Sequence, residues 1–244
     1  MYYKYLHQDL LCVIKNLNIR FTQAGALNDP FEAVPLIKYE GDLYYENIPR
    51  LAARTGTTVI QMLDFTIGIL SLSRTKENLL LWSHYADSHK GYVIEFEENN
   101  DFFKPNHEEG IGKPFLVSYT SQRPVINITD DKDFRYQIGD FFPEDLAKIL
   151  GQKPIDWAYE EEVRSFRKIS KLPVSGSCKE HYNIILVNIP PDAIKGIYLG
   201  ADMDPSKQDE IIEACKKNCL HIPIYKTLLS HTSYSLEFSI LTNT

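Results

Sequence analysis

Two short segments of the sequence concentrate the residue types that can do chemistry. The first, Asn78–Phe96, holds His84 and Tyr85 just ahead of a strand-forming run. An imidazole both donates and accepts hydrogen bonds at neutral pH, and a tyrosine ring stacks on planar groups, so this pair suits a ribose or an aromatic ring. The competing interpretation is that both are partly buried helix residues whose hydrogen bonds are already satisfied.

The second segment, Ile155–Ile169, contains two carboxylates, Glu160 and Glu162, followed by Arg164. In a strand these side chains share one face, where one carboxylate can stabilise a developing cation while the other binds a hydroxyl or holds a proton. An exposed, salt-bridged edge strand has the same spacing, and in a helix Glu160 and Arg164 would form an i,i+4 pair. A strand is favoured because the segment lacks a helical apolar stripe.

Hydrophobic periodicity and breaker residues predict the elements that must position these groups. Asn78 is the expected N-cap and Gly91 the expected C′ residue of a helix in which Trp82, Tyr85 and His89 share one side. Helices are expected at Asp9–Leu17, Leu79–His89, Glu144–Leu150 and from Asp204 to about Cys219. Strands are expected at Tyr2–Leu6, Ile19–Thr22, Ile67–Ser73, Tyr92–Phe96, Phe115–Tyr119, His181–Ile189, Ile194–Leu199, Ile222–Leu229 and Tyr234–Leu241.

Composition limits the classes of protein to which the chain can belong. It has 244 residues, 43% of them hydrophobic, and a net charge of −7. The length allows one domain or two, and the absence of a linker favours one domain over 1–244. The negative charge argues against a broad surface for duplex nucleic acid but allows a local basic cleft. Without an apolar run of roughly 20 residues or a secretion signal, we expect a soluble cytoplasmic protein that does not associate with membranes.

The familiar cofactor and metal motifs are missing from the sequence. It contains no P-loop, Rossmann fingerprint, nucleophile elbow, zinc-protease helix or zinc-ribbon spacing, so the common hydrolase, kinase and dehydrogenase assignments lose their main support. The four cysteines include one close pair, Cys215 and Cys219, with His221 nearby. Buried or incidental thiols in a reduced protein explain that pair better than a metal site, and we expect no metal.

An ordered set of short motifs spans about residues 2–200. The motifs are Tyr3-Lys4-Tyr5, Phe21-Thr22, Asn28-Asp29-Pro30-Phe31, Ser71-Leu72-Ser73, Trp82-Ser83-His84-Tyr85-Ala86-Asp87, His89-Lys90-Gly91 and Trp157-Ala158-Tyr159-Glu160-Glu161-Glu162-Val163-Arg164. Together they resemble the bacterial family known as domain of unknown function 2971. Val163 stands where that family often has a second tryptophan. The resemblance supports a single continuous domain, and 201–244 is expected to add a helix and two strands that complete the sheet.

The order of elements is similar, more distantly, to the ADP-ribosyltransferase fold. That resemblance implies an α+β domain with a split, mainly antiparallel sheet and peripheral helices, in which the sheet grips NAD and a late-strand glutamate supports cleavage of the nicotinamide–ribose bond. The oxocarbenium-like transition state of that cleavage is stabilised by a nearby carboxylate. The chain lacks the usual first-strand His or Arg followed by Gly or Thr, so Lys4 or Tyr5 would serve there.

The resulting hypothesis is an NAD-dependent ADP-ribosyltransferase-like enzyme, a bacterial toxin or anti-phage effector that modifies a protein or nucleic acid and can pair with an antitoxin or defence partner. Glu162 is the expected catalytic carboxylate, Glu160 assists at the acceptor or ribose hydroxyl, His84 orients the ribose, and Tyr85 stacks on nicotinamide. The other NAD contacts, with Lys4 or Arg74 facing the pyrophosphate, are assigned to Lys4, Tyr5, Asn28, Asp29, Ser73, Arg74, Trp82 and Arg164.

Two hypotheses from other classes remain open at this point. A noncatalytic module would use the same aromatic cleft to recognise a nucleotide or a phage component. A nuclease would place Glu160, Glu162 and Asp29 around a divalent metal, because carboxylates are the ligands that such ions prefer.

Overall fold

The regular elements of the chain are mostly short strands. This computed structural model describes residues 1–39, 61, 63–104, 113–128, 143–178 and 182–243. The strands of that part are β1 Tyr2–Leu6, β2 Asn18–Arg20, β3 Leu36–Tyr39, β4 Ile67–Ser73, β5 Tyr92–Phe96, β6 Phe115–Leu116, β7 Ser118–Thr120, β8 Val125–Ile128, β9 Gln152–Pro154, β10 Glu162–Lys168, β11 Val174–Ser177, β12 Asn183–Asn188, β13 Ile194–Leu199, β14 Pro223–Leu229 and β15 Leu236–Asn243.

Helices are few and lie around the strands. The α-helices are α1 Cys12–Asn16, α2 Leu79–Tyr85, α3 Pro143–Leu150 and α4 Pro205–Lys217, and single 3-10 turns occur at Gln8–Leu10, Ala24–Ala26, Asp101–Phe103, Ile155–Glu160 and Pro191–Ala193. None of the helices in the described ranges is both long enough and apolar enough to cross a membrane.

One eight-stranded sheet organises the molecule, in the order β15-β14-β13-β5-β1-β4-β10-β6. Neighbouring strands are antiparallel except β13 and β14, which are parallel and joined through α4. A parallel pair needs such a crossover, because a tight turn reverses the chain direction. The smaller sheets are β11-β12-β2, β3-β8 and β7-β9. The protein is therefore α+β with a mainly antiparallel sheet, as the sequence predicts, and its first and last strands belong to the same sheet.

The two faces of the large sheet have different partners. Alternate strand residues such as Leu72 and Ile94 pack with α1 and α4 in the main hydrophobic core. The opposite face, which we call the site face, carries Tyr3, Tyr5 and Val93, and α2 packs on it. This alternation is the period-two pattern expected for strands buried on both sides. Ser73 and Glu162, which are in register with Tyr3, lie on the site face as well.

The sheet is barely joined between β1 and β4. These neighbours are paired only at Tyr3 and Ser73, whereas β1 pairs with β5 along its whole length. Beyond that point the Nζ of Lys4 donates to the carbonyl of Ser71 at 2.9 Å, replacing a ladder hydrogen bond. A side chain thus satisfies a backbone group that the separated strands leave free. We call this opening the β1–β4 gap.

Two predicted elements differ from the structure near the site. The helix expected at Leu79–His89 ends at Tyr85, because Asp87, Ser88 and His89 all adopt left-handed backbone conformations. Asn78 is the N-cap, as predicted, and its side chain accepts from the amides of the first turn. Helix α2 therefore presents only two turns to the site.

Gly91 does not have the helix-ending role that the sequence predicts. The residue at the C-cap is Ala86, and Gly91 lies just ahead of β5, where a Cβ atom would be 2.1 Å from the carbonyl oxygen of Leu6. Glycine is required there because two backbones approach closely.

Replacing Gly91 with alanine tests this packing. We expect Gly91→Ala to lower the free energy of unfolding by more than about 2 kcal/mol, because the contact is with backbone that cannot rotate away. The matched control is Gly176→Ala, whose Cβ would lie 3.9 Å from its nearest neighbour and should change stability little. Urea denaturation of both variants measures the difference, and equal effects would contradict this account.

Candidate functional site

A cavity of about 310 Å³ opens at the β1–β4 gap. It is bounded by the site face of the sheet, by the end of α2 and by the chain between β2 and β3. The residues that line it are Tyr3, Lys4, Tyr5, Arg20, Thr22, Ala26, Leu27, Asn28, Glu32, Ser71, Leu72, Ser73, Leu81, Tyr85, Lys153, Glu160 and Glu162. The volume lies at the lower end of the range for ligand sites, so the cavity suits a small molecule or one part of a larger one.

Five buried charged side chains form one wall of this cavity and the layer behind it. Lys153 Nζ lies 2.6 Å from Glu160, 3.1 Å from Glu32 and 3.4 Å from Glu162. Arg164 binds both oxygens of Glu162, at 2.8 and 3.0 Å, and also contacts Glu32. All five are at most 7% exposed. Such ions stay charged in the interior only when they are paired and hydrogen-bonded, as they are here.

The ion pairs keep Glu162 ionised. Burial raises the pKa of its carboxyl, but the charge and hydrogen bonds of Arg164, with help from Lys153, outweigh burial and lower the pKa to about 2. Burial likewise lowers the pKa of Lys153, yet Glu162, Glu32 and Glu160 raise it above its ordinary value. At neutral pH Glu162 and Lys153 therefore both carry their charges.

Glu160 reaches the cavity by a route that the sequence analysis does not predict. It ends the 3-10 helix Ile155–Glu160 instead of sharing a strand with Glu162, and Glu161 between them is left-handed with φ 45°. The hydroxyl of Ser73 donates to the Glu160 carbonyl at 2.7 Å. The turn at Glu161 is what lets both carboxylates meet at Lys153. Of the charged residues expected to share a strand face, only Glu162 and Arg164 do so.

Lys4 stands apart from the five-charge wall. Its side chain is half-buried in the cavity and forms no ion pair among the described residues. Burial lowers the pKa of its ammonium to about 8, although Glu162 and Glu160 partly oppose this. Near neutral pH Lys4 is thus a cation that loses its proton more readily than an ordinary lysine.

Tyr85 joins α2 to the carboxylates. Its hydroxyl donates to Glu160 at 2.7 Å, and burial together with this hydrogen bond raises its pKa. His84 lies on the exposed side of the helix end, with its Nδ1 3.1 Å from the hydroxyl of Tyr159. The cavity therefore contains Tyr85 and Glu162 together, while His84 contacts Tyr159 at its margin.

The structure separates the predicted site residues into three groups. Lys4, Tyr5, Asn28, Ser73, Tyr85, Glu160 and Glu162 line the cavity. Arg164 lies behind the wall as the partner of Glu162. The other four lie elsewhere: His84 at the exposed end of α2, Asp29 bonded to the Phe31 amide, Arg74 paired with Glu98 at the surface, and Trp82 in the core.

The placement of Trp82 has a simple packing explanation. Its side chain is fully buried edge-on against Tyr5, and its indole N–H donates to the Lys76 carbonyl at 2.7 Å. No surface of the ring is left for a ligand. Trp82 therefore packs against Tyr5 inside the core. It does not line the cavity, contrary to the expectation that it contacts NAD.

Three charged cavity residues are absent from the residues assigned from the sequence: Arg20, Glu32 and Lys153. None belongs to a motif that marks a site, since Arg20 and Glu32 only flank the motifs Phe21-Thr22 and Asn28-Asp29-Pro30-Phe31. The one available signal for Lys153 is its position just before the Glu-rich segment, with the carboxylates seven and nine residues later.

The described residues contain no group of three or more His, Cys, Asp and Glu side chains arranged to hold a metal. Lys153 Nζ lies between the carboxylates of Glu32, Glu160 and Glu162, where a divalent cation would otherwise be placed. Cys215 is buried in the core, which raises the pKa of its thiol to about 12, and Cys219 is exposed.

Comparison with known proteins gives a match to a family model. The family model described as "Protein of unknown function (DUF2971)" matches residues 81–165. The match supports the resemblance indicated by the sequence motifs, and its range contains Tyr85, Lys153, Glu160, Glu162 and Arg164. No curated protein and no solved structure matches the chain. The matched range thus contains four of the five charged residues, all except Glu32.

The pKa of Glu162 leads to a pH-dependent stability. Its value in the folded protein, about 2, lies below the 4.5 of a free carboxyl, so the unfolded chain binds more protons between these values. The stabilisation is complete above about pH 4.5 and is lost as the pH falls through 2. We expect the stability difference between the wild type and Glu162→Gln to shrink by on the order of 1–3 kcal/mol between pH 6 and pH 2.5. Urea unfolding across this range measures it, and a constant difference would contradict the ion pairing.

Proposed function

We propose that this protein is an ADP-ribosyltransferase-like enzyme that cleaves the nicotinamide–ribose bond of NAD and transfers ADP-ribose to a protein or nucleic acid. The observation that carries the proposal is the convergence of Glu160 and Glu162 in one cavity at the β1–β4 gap. Two fixed carboxylates beside a cavity are the groups that an oxocarbenium-like transition state requires. The resemblance of the element order to that fold supports the same assignment.

In this proposal Glu162 supplies the fixed negative charge. As the C1′–N1 bond breaks, its electron pair leaves with nicotinamide, which becomes neutral, and positive charge develops on the ribose. Glu162 is ionised and held by Arg164 and Lys153, so it needs no reorganisation when that charge appears. The positively charged partners weaken its field, but they also fix its position.

Glu160 and Tyr85 complete the proposed reaction. Glu160 accepts the proton of the attacking hydroxyl or other nucleophile as the new bond to C1′ forms. The hydroxyl of Tyr85 orients Glu160 through their 2.7 Å hydrogen bond, while its ring provides a planar surface for nicotinamide. His84 is outside this set because it does not line the cavity.

The size of the cavity supports assigning it to one half of the dinucleotide. At about 310 Å³ it is at the lower end for ligand sites, so we propose that it takes the nicotinamide riboside part. The remainder of NAD and the acceptor would extend from its mouth. In this proposal the protein acts in bacteria as a toxin or an anti-phage effector.

Charge removal at the paired glutamates is the direct test. We expect Glu162→Gln and Glu160→Gln each to lower NAD turnover by a factor on the order of a hundred or more, because glutamine keeps the volume and loses the charge. Glu161→Gln is the matched control, since Glu161 lies between them in sequence but is exposed. Nicotinamide release is measured on protein shown to be folded by thermal unfolding. Full turnover in both cavity variants would end the assignment.

Tyr85→Phe separates the hydroxyl of Tyr85 from its ring. The variant keeps a planar surface and removes the donor to Glu160, so we expect kcat to fall by roughly tenfold with little change in KM. Tyr159→Phe, which removes the hydroxyl that contacts His84 at the margin, is the control and should leave both constants unchanged. A rise in KM alone for Tyr85→Phe would assign the hydroxyl to substrate binding instead.

A further inference from the structure

Arg20 is a cation in the cavity that the proposed reaction does not use. It lies in β2, lines the cavity and is only partly exposed. Its charge is not neutralised within the described structure, where it forms no ion pair. Its nearest polar contacts are both long, 3.4 Å to the side-chain oxygen of Gln23 and 3.7 Å to the sulfur of Cys178. The first distance exceeds that of a well-formed N–H···O hydrogen bond, and a thiol sulfur is a weak acceptor.

One nitrogen of this guanidinium is buried without a partner. The Nε of Arg20 has no hydrogen-bond acceptor among the described residues, although it is shielded from solvent. A buried donor left unpaired is costly, and the cost is higher when the group is charged. The fixed fork of a guanidinium donates hydrogen bonds to two oxygens of a phosphate at once, so a phosphoryl group is the kind of acceptor that this side chain lacks.

Lys4 lines the same cavity as Arg20. Thr22, two residues after Arg20, forms an antiparallel bridge with Ile69, so Arg20 lies on the Ser71 side of that bridge. Lys4 donates to the Ser71 carbonyl, which brings its ammonium to the same stretch of β4. Both cations lack a carboxylate partner in the described part of the chain, in contrast to Lys153 and Arg164.

The same chain segment adds neutral donors. The side chains of Thr22 and Asn28 line the cavity after Arg20, and both carry groups that hydrogen-bond to phosphate oxygens. The carboxylates of the cavity are paired with Lys153 and Arg164, whereas Arg20 and Lys4 form no ion pair in the described part of the chain. The cavity therefore contains two cations whose charges no ion pair neutralises.

We propose that Arg20, with Lys4, forms a phosphate-binding subsite that holds the phosphoryl group next to the reacting ribose. This inference rests on the proposed function for the identity of the ribose, and it assigns the role expected of Arg74 to Arg20. An anion held at this point would fix C1′ relative to the carboxylates. It would also keep the negatively charged substrate from being repelled by Glu160 and Glu162.

The test compares ligands with and without phosphate. Binding of inorganic pyrophosphate, ADP-ribose and nicotinamide riboside is measured by calorimetry on the wild type, Arg20→Met, Arg20→Lys and Arg74→Met. We expect Arg20→Met to weaken pyrophosphate and ADP-ribose binding by about ten- to a hundredfold and to leave nicotinamide riboside unchanged. Arg20→Lys should show an intermediate loss, since it keeps the charge without the fork. Arg74→Met is the matched control and should match the wild type.

The outcomes separate this inference from the proposed function. Arg20-dependent binding of pyrophosphate in a protein that does not consume NAD would support the subsite and reject the transferase proposal. Consumption of NAD with the same KM in the wild type and Arg20→Met would reject the subsite alone. If Arg20→Met does not fold, Arg20→Lys decides: wild-type affinity for both phosphate ligands overturns the inference. Failure of the wild type to bind either phosphate ligand also overturns it.

Discussion

The cavity depends on a group of buried ions that pair with one another. Three carboxylates and two cations lie together with almost no exposure, and each would be costly if left alone. Their mutual dependence fixes where β10, β9 and the segment around Glu32 sit relative to one another. Removing one member leaves the others unpaired, so function and stability are linked at this wall. A hydrophobic replacement of the whole group would preserve packing but remove the chemistry.

The second constraint is the separation of β1 from β4. A continuous ladder of hydrogen bonds between β1 and β4 would hold their backbones together and close the cavity. Lys4 allows the separation because its side chain reaches the Ser71 carbonyl, which the ladder no longer satisfies. The same ammonium faces the cavity. One residue thus links the shape of the sheet with the charge of the site.

The positions of strands and helices could be predicted from the sequence because they depend on the local period of hydrophobic residues. β1, β4, β5 and β13 have the predicted bounds, since each alternates between two buried faces. The end of α2 could not be predicted in this way. Three successive residues after it adopt left-handed backbone conformations, and their residue types do not indicate this. Among the site residues, Tyr85, Glu160 and Glu162 could be found from the sequence because each lies in a segment rich in residue types that can do chemistry. Lys153, Glu32 and Arg20 could not, because only tertiary contacts bring them to the cavity.

Strand β1 occupies the middle of the large sheet although it comes first in the chain. Its full-length partner, β5, follows after more than eighty residues, and the strands beyond β5 come from the last third of the sequence. During synthesis on the ribosome, the first strand must wait unpaired until that partner emerges. Pairing over such separations is slow and leaves apolar edges exposed to other chains. We therefore expect the yield of folded protein in cells to depend on chaperones and on the pace of translation.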